Sequence, residues 1–270
     1  MKQDIEKDFN LGGTVESAIS GDYELKAGAI LKEAWTNTVK NFFSFTPAIL
    51  ALLVLQAVIF YIAVKLQLGD VGVIFKALEH PTKLTESMFQ AIFVANFSYE
   101  VISAPIYAGV CLMAMSHAAG LSTKLRHIGK GLQFTVPVIV ATLITLLMQG
   151  LAGMILPFLS IYISLAFSNS TLLICEKRIP PIQALFLSMR AVNKKLLTLA
   201  GIYLVVMVMF FIAAVFYGIG LIFVLPFLFH VKGIVYRNMF GIKLRIVTEH
   251  RSDDDSESDD QDKGSQVFHA

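Results

Sequence analysis

The sequence predicts an all-α integral membrane protein with six transmembrane helices, arranged as three repeated units, with both chain ends in the cytoplasm. Composition, the length of the apolar runs, and the placement of Lys and Arg predict this fold class. Of the 270 residues, 56% are hydrophobic and 16% are charged, whereas soluble domains are typically ~45–50% apolar and ~25% charged. A bilayer core of ~30 Å takes about 20 apolar residues as a helix. Several runs reach that length, so a soluble protein is the less favoured alternative.

The chain divides into a polar cytoplasmic arm at 1–28, a membrane domain at 29–248 and an acidic tail at 249–270. The spans are predicted at 45–64, 97–118, 134–155, 156–174, 196–217 and 218–236. The third and fourth form one apolar stretch, interrupted by Gly150, Gly153 and Pro157, that is too long for one crossing and fits a tight helical hairpin. The arm has no basic-then-apolar signal peptide, so the first span is expected to stay as an uncleaved anchor.

The orientation follows from the positively charged residues in the connections. With the N-terminus inside, 19 of the 22 Lys and Arg residues fall in cytoplasmic segments. The other three, Lys65, Lys76 and Lys83, lie in the outer segment before the second span. Every connection shows the same bias, which predicts that both ends of the chain are cytoplasmic.

The chain contains an internal repeat of three units, each of which includes one odd-numbered span and the even-numbered span after it. Each unit begins with a basic amphipathic stretch that has apolar residues at helical spacing. Aligning Lys40, Lys130 and Lys194 also aligns Pro47, Pro137 and Gly201 seven residues later. The even spans carry a proline in their outer halves, at Pro105, Pro157 and Pro226. The predicted unit is an interfacial helix followed by a two-span hairpin, with an insertion at 65–96 in the first unit.

The three basic stretches are predicted to lie on the cytoplasmic surface, with apolar faces in the acyl boundary and cations toward anionic lipid headgroups. The candidate headgroup contacts are Lys40, Lys130, Arg190, Lys194, Lys195, Lys232 and Arg237. Lys232 and Arg237 are expected to snorkel from the end of the sixth span. Two interpretations remain open: the stretches are elbows that turn the chain, or they form a collar that binds lipid headgroups or a partner.

The tail from 252 to 262 has no apolar residue and is expected to be disordered. It is either a solvated cytoplasmic tail or a docking site for a basic protein partner. Residues 249–270 hold eight acids and two bases, so this segment has a net negative charge, whereas residues 1–248 have a net positive charge. A net positive membrane domain is expected to interact with anionic lipid, and nucleic acid is not an expected partner.

Polar residues inside the membrane are the natural place to look for function. The candidate intramembrane residues are Thr142, Thr145, Gln149, Ser160, Ser164, Ser168, Asn169 and His230. Residues spaced by three, four or seven lie on one helix face, so spans three and four each present a polar stripe. The stripes either pack the two helices together, with contacts worth about 0.6–2 kcal/mol each, or line a pathway for a solute or a lipid headgroup.

Two ionisable residues add weaker candidates. Glu100 lies near the outer end of the second span, where its carboxylate is expected to reach interfacial water rather than to sit deep. His230 lies deepest among the polar residues of the sixth span, and its charge could switch near neutral pH.

No enzyme signature is found. The sequence has no phosphate-binding glycine loop, dinucleotide fingerprint, zinc-protease motif or nucleophile elbow. His117 and His127, ten residues apart, do not form a ligand pair, and Cys111 and Cys175 are expected to be buried thiols. The protein is therefore predicted not to be an enzyme, with no cofactor and no metal.

The stretch 175–195, the fifth span and Gly218-Ile-Gly220 resemble a group of uncharacterised bacterial integral membrane proteins of the YciC type. The membrane domain fused to some glycerophosphodiester phosphodiesterases is similar. The matching residues are Glu176, Pro181, Ala184, Leu185 and Ser188, with Pro105 and Gly109 in the second span. The resemblance covers about residues 30–245 and implies a bacterial cytoplasmic membrane, with no established reaction.

The leading functional hypothesis is a non-catalytic protein of the bacterial envelope that engages lipid or a protein partner through its interfacial helices and inner spans. The alternative is a small transporter of a solute or lipid that uses the polar stripes of spans three and four. A hydrated cavity between those spans favours transport, whereas direct packing of their hydroxyl groups favours a scaffold.

Overall fold

The computed structural model describes residues 6–74, 85–216 and 218–247. In chain order the elements are strand β1 (Glu6–Leu11), helices α1 (Val15–Ser20), α2 (Ala27–Lys40), α3 (Phe42–Leu68) and α4 (Glu86–Ala118), a 3₁₀ helix (Leu125–Phe134), helices α5 (Thr135–Ile155), α6 (Pro157–Ala166), α7 (Ser170–Lys177), α8 (Pro181–Lys194), α9 (Leu196–Val215) and α10 (Leu221–Phe240), and strand β2 (Ile242–Val247). The acidic tail predicted at 249–270 lies outside the described residues.

Six helical segments are long and apolar enough to cross a membrane, which confirms the predicted all-α membrane fold. They are α3, α4, the 3₁₀ helix with α5, α6 with α7, α9 and α10. The second is longer than expected, because α4 begins at Glu86 inside the predicted insertion, where the Thr85 hydroxyl accepts a bond from the Met88 amide. The repeat and the side of the membrane on which each connection lies stay predictions.

The predicted hairpin between spans three and four is present, and its turn is short. Leu156 is extended, with φ −149° and ψ 125°, and Pro157 occupies the first turn of α6. Proline suits that position because it has no amide hydrogen to leave unpaired there. The chain therefore reverses at one residue pair, and α6 packs back against α5.

The fourth span differs from the single helix that the sequence predicts, because residues 167–169 form a turn between α6 and α7. The Ser188 hydroxyl of α8 donates to the Ala166 carbonyl at 2.6 Å. It also accepts from the Asn169 amide at 3.2 Å. One buried hydroxyl thus satisfies backbone groups on both sides of the break, which a membrane interior requires.

Helices α4 and α10 form the centre of the bundle. They are the two most buried of the six helical segments, and the broken fourth span comes third, whereas α3, α5 and α9 expose most of their apolar side chains, as lipid-facing helices do. They are also two of the three least apolar segments. Four polar side chains of these helices, those of Ser103, His117, His230 and Lys232, are consequently buried inside the protein.

The two ends of the described chain meet in a two-stranded antiparallel sheet that the sequence analysis did not predict. Strand β1 pairs with β2 in a register that sets Glu6 opposite Val247 and Leu11 opposite Ile242. Beside this sheet, the Tyr23 hydroxyl donates to the Ala191 carbonyl of α8 at 2.7 Å. Burial raises the pKa of Tyr23 to about 12, so the phenol stays neutral and remains a donor. Both described ends therefore lie on one side of the bundle.

Candidate functional site

A polar cavity of about 350 Å³ lies within the helix bundle, lined by residues of all six membrane-spanning segments except α9. Its walls include most of the residues in the two predicted stripes: Thr142, Thr145 and Gln149 from α5, and Ser164 and Ser168 from the fourth span. The Gln56 amide of α3 donates to the Ser103 hydroxyl of α4 at 3.1 Å in the same wall. The stripes thus face a shared space rather than only each other.

Two of the predicted stripe residues lie elsewhere. Ser160 is at the hairpin, where a side chain added at Gly153 would meet its Cβ at 3.7 Å, an ordinary packing distance. Asn169 is fully buried at the break, with its side-chain nitrogen 3.8 Å from the Met239 sulfur. Its Oδ1 atom has no hydrogen-bond partner in the described chain. These two residues have packing positions rather than positions on the cavity wall.

Lys232 of α10 brings a positive charge to the cavity wall. Its ammonium donates to the Tyr107 hydroxyl at 2.7 Å and lies 4.8 Å from the centre of that ring. The residue is only 9% exposed, and no carboxylate lies within 4 Å of its ammonium among the described residues. The prediction that Lys232 snorkels to the headgroups is therefore wrong, because the side chain turns inward along the cavity. An ammonium with one neutral partner at this depth is costly unless water or a ligand supplies others.

Glu100 of α4 lines the same cavity and is half-buried. It precedes Tyr107 by seven residues, which is two helical turns, so both side chains lie on one face of α4 about 10 Å apart along the axis. The sequence predicted Glu100 at interfacial water and gave no sign that it lines the same cavity as Lys232. The cavity thus contains one carboxylate and one ammonium toward different ends of its α4 wall.

The break in the fourth span borders this cavity. Phe167 and Ser168 of the turn, and Ser170 and Thr171 of the first turn of α7, all line it. Irregular backbone at membrane depth is tolerated where it lines a cavity, and broken helices of this kind form the substrate sites of many transporters. The amide end of α7 adds partial positive charge near Lys232.

A wider groove of about 850 Å³ adjoins the cavity between α3 and α4. Gln56 and Tyr99 line both spaces. The groove extends along the helices to Lys65 and Asp70, at the end of α3. The cavity and the groove together connect the interior to the end of the bundle at which α3 ends and α4 begins.

A second polar cluster in the bundle pairs two buried histidines. The His230 Nε2 and His117 Nδ1 atoms lie 2.9 Å apart. The outer nitrogens are bonded to Thr38 Oγ1 at 3.0 Å and to Thr123 Oγ1 at 2.8 Å. Phe45 packs on both rings. His230 was a candidate from the sequence. Its partner His117 was not, because no sequence pattern around His117 indicates a contact with another span.

The histidine pair is saturated by hydrogen bonds, so its expected role is to join α2, α4 and α10. We expect His117→Leu and His230→Leu each to destabilise the protein by about 1–3 kcal/mol, because each leaves buried partners unpaired. The double variant should cost less than the sum, by about 0.5–3 kcal/mol. Thermal denaturation in detergent measures all three, and strictly additive losses would contradict the pairing.

The remaining candidate headgroup cations occupy different surroundings. Arg237 makes a two-pronged ion pair with Glu33 of α2, at 2.6 Å and 2.9 Å, and donates to the Ala118 carbonyl at 2.7 Å. In place of the expected contact with lipid, the Arg237 guanidinium binds groups of α2 and α4 and so joins these two helices to α10. The others are exposed or half-buried, at Lys40, Lys130, Arg190, Lys194 and Lys195, and their contact with headgroups stays a prediction.

Glu176, which carries part of the resemblance, is buried at the end of α7, with its side chain 3% exposed. It accepts from the Tyr236 hydroxyl at 2.8 Å, the Lys177 ammonium at 3.1 Å and the Lys243 amide at 3.1 Å. The carboxylate therefore links α7 to α10 and β2. Nothing in this geometry requires a ligand.

The six apolar helices and the sequestered polar cavity define a multi-pass α-helical integral membrane protein. Within the described residues, no group of three or more His, Cys, Asp or Glu could hold a metal ion. Comparison of the chain with family models, curated proteins and solved structures finds no match.

Proposed function

We propose that this protein is a small carrier that binds a polar solute or a lipid headgroup in the cavity and moves it across the membrane. The single observation that supports this most is the cavity itself, whose walls combine the hydroxyl and amide stripes with Lys232 beside a broken helix. Helices that only needed to pack would bring those hydroxyl groups into contact, with no space of about 350 Å³ between them. The adjoining groove is the proposed entry route.

The charges of the cavity favour a ligand that carries both signs. A negative group would take the ammonium of Lys232 as partner, and a cationic or hydrogen-bond-donating group would face Glu100. Glu100 and Tyr107, the partner of Lys232, lie two helical turns apart on α4, so the ligand is expected to be compact, with its two charges separated. Small amino acids with separated charges and phosphoethanolamine-type groups fit this description.

The non-catalytic lipid-engaging or partner-engaging role predicted from the sequence is the second candidate. It is favoured by the exposed cations of the basic stretches rather than by the cavity. We further propose membership of the YciC-type group, a bacterial cytoplasmic membrane with both ends inside, and no catalytic activity. These proposals rest on the sequence patterns given above.

Uptake into proteoliposomes tests the carrier proposal. The probes are radiolabelled glycine, β-alanine, taurine and phosphoethanolamine, which differ in the separation of their charges, with methanesulfonate as a singly charged comparison that stays ionised. At least one of the four probes that carry both signs of charge is expected to enter about tenfold faster than into protein-free liposomes, because taking unassisted charge into the bilayer core costs several kcal/mol. Methanesulfonate, which has no cationic group to face Glu100, should enter more slowly.

The test variant combines Gln149→Leu with Ser164→Val, which removes polar groups from both stripes that line the cavity. Under the carrier proposal this variant loses the flux while reaching the membrane in normal amount. Equal flux in the variant, or equal entry of every probe with and without protein, would reject transport through the cavity and favour the scaffold.

A further inference from the structure

A second cavity, of about 620 Å³, lies on the side of the bundle predicted to face the cytoplasm. Three elements surround it: the end of α4, the 3₁₀ helix and the end of α7. It shares no lining residue with the cavity of the carrier proposal, so it is a separate space in the fold.

The charged residues that line this second cavity, Lys130 and Arg178, are both basic. His127 and Lys130 come from the 3₁₀ helix, and Arg178 follows α7. Among the described residues, no carboxylate lies within 4 Å of the Lys130 or Arg178 nitrogens. These cations are therefore available to an anion rather than held in ion pairs within the described chain.

Arg178 is held at the edge of the cavity by its backbone and by an aromatic ring. It ends α7 in a left-handed conformation, with φ 55°, the one positive φ among the described non-glycine residues. Its guanidinium lies 5.5 Å from the centre of the Phe134 ring. Stacking on a ring restricts the guanidinium and leaves its edge donors free.

The rest of the lining combines hydrogen-bonding groups with an apolar floor. Thr123 and Gln133 add polar atoms, and Leu112 and Met113 are among the apolar residues. A planar guanidinium beside an ammonium is the arrangement that favours phosphate oxygens. The apolar floor leaves room for hydrocarbon next to the phosphate.

The geometry points to a phosphate-binding site in this second cavity, formed by Arg178 and Lys130 and able to hold the phosphate of a lipid headgroup or a free phosphate. The site does not depend on the carrier proposal. It gives the basic stretch before the third span a binding role beyond that of an elbow.

Binding to the purified full-length chain in nonionic detergent tests the site. One arm titrates dioleoylphosphatidylglycerol and follows bound lipid by native mass spectrometry. Dioleoylglycerol, which has the same chains and no phosphate, is the comparison. The other arm measures binding of radiolabelled inorganic phosphate by equilibrium dialysis. Binding of phosphatidylglycerol without inorganic phosphate identifies a lipid source, binding of inorganic phosphate without the lipid identifies free phosphate, and binding of both shows a site that accepts the phosphate group from either source.

The test variant is Arg178→Gln with Lys130→Gln, and the charge-matched control is Lys26→Gln with Lys32→Gln, two exposed cations outside the cavity and outside the predicted set of headgroup contacts. The test variant is expected to lose about tenfold or more in affinity for the phosphate ligand, whereas the control stays within about twofold. Equal losses in both variants, no loss in the test variant, or equal binding of dioleoylglycerol would overturn the site.

A conservative variant keeps the test informative if the double substitution disturbs folding, which the melting transition would reveal. Arg178→Lys retains the charge and loses the planar fork. Its affinity for the phosphate ligand should fall about threefold or more. An unchanged affinity in a folded Arg178→Lys protein would exclude Arg178 from the site.

Discussion

Replacing Lys232 with Met should raise the stability of the protein and abolish its solute flux. The ammonium is 9% exposed and has one hydrogen-bond partner in the described chain, the Tyr107 hydroxyl. Exchanging buried charges for apolar side chains of similar volume is commonly neutral or stabilising, by up to about 1–4 kcal/mol. The same exchange removes the cation that the proposed ligand needs. Thermal denaturation and proteoliposome uptake measure the two effects on one preparation.

Lys194→Met is the matched control, because Lys194 is exposed at the end of α8 and does not line the cavity. It should leave both the melting temperature and the flux close to those of the unmodified protein. Substitutions in binding sites commonly raise stability while lowering function. A Lys232→Met protein that is clearly less stable, with flux unchanged, would assign Lys232 a packing role.

Among the substitutions proposed for this protein, Gly131→Ala should cause the largest loss of folded protein. A Cβ at Gly131 would overlap the Pro105 carbonyl oxygen and the backbone of Gly109 on α4. A Cβ at Gly109 would overlap the Ile128 carbonyl oxygen in return. The 3₁₀ helix and α4 are thus in backbone contact, with no flexible side chain between them to yield. We expect destabilisation at or above the ~1–3 kcal/mol typical of overpacking, measured as melting temperature and as yield in detergent.

Gly129→Ala tests whether this loss is local. Gly129 lies two residues earlier in the same 3₁₀ helix, and a Cβ there meets nothing within 4 Å. The control should fold normally or gain slightly, because alanine loses less backbone entropy than glycine. Similar behaviour of the two alanine variants would contradict the backbone contact between α4 and the 3₁₀ helix.

The membrane fold was predictable because it follows from local properties of the chain. Apolar runs near 20 residues predict the spans, and Pro157 predicts the hairpin turn. The break at 167–169 was not predictable in the same way, because it depends on Ser188, a residue of another helix. The pairing of β1 with β2 likewise joins segments from opposite ends of the chain.

The polar wall of the cavity could be predicted in part. Spacing along one helix placed Thr142, Gln149 and Ser164 on stripes, and those stripes line the cavity. Spacing could not show that Lys232 turns inward, because a lysine near a helix end snorkels when the surroundings allow it. The contact of His117 with His230 depends on how separate helices pack, which no motif records.

The most direct test of the central claim is the accessibility of a cysteine in the cavity wall to water-soluble thiol reagents. Ser168→Cys is placed in a background with Cys111 and Cys175 replaced by alanine, and Val208→Cys on the exposed face of α9 is the comparison. Only an ionised thiol reacts, so a lipid-facing cysteine reacts slowly. In a hydrated, positively charged cavity, Ser168→Cys should react about tenfold or more faster than Val208→Cys, and faster with a sulfonate reagent than with a trimethylammonium reagent. Adding Lys232→Met should remove that charge preference.

A Ser168→Cys protein as unreactive as Val208→Cys would contradict a hydrated, positively charged cavity, and the carrier proposal with it.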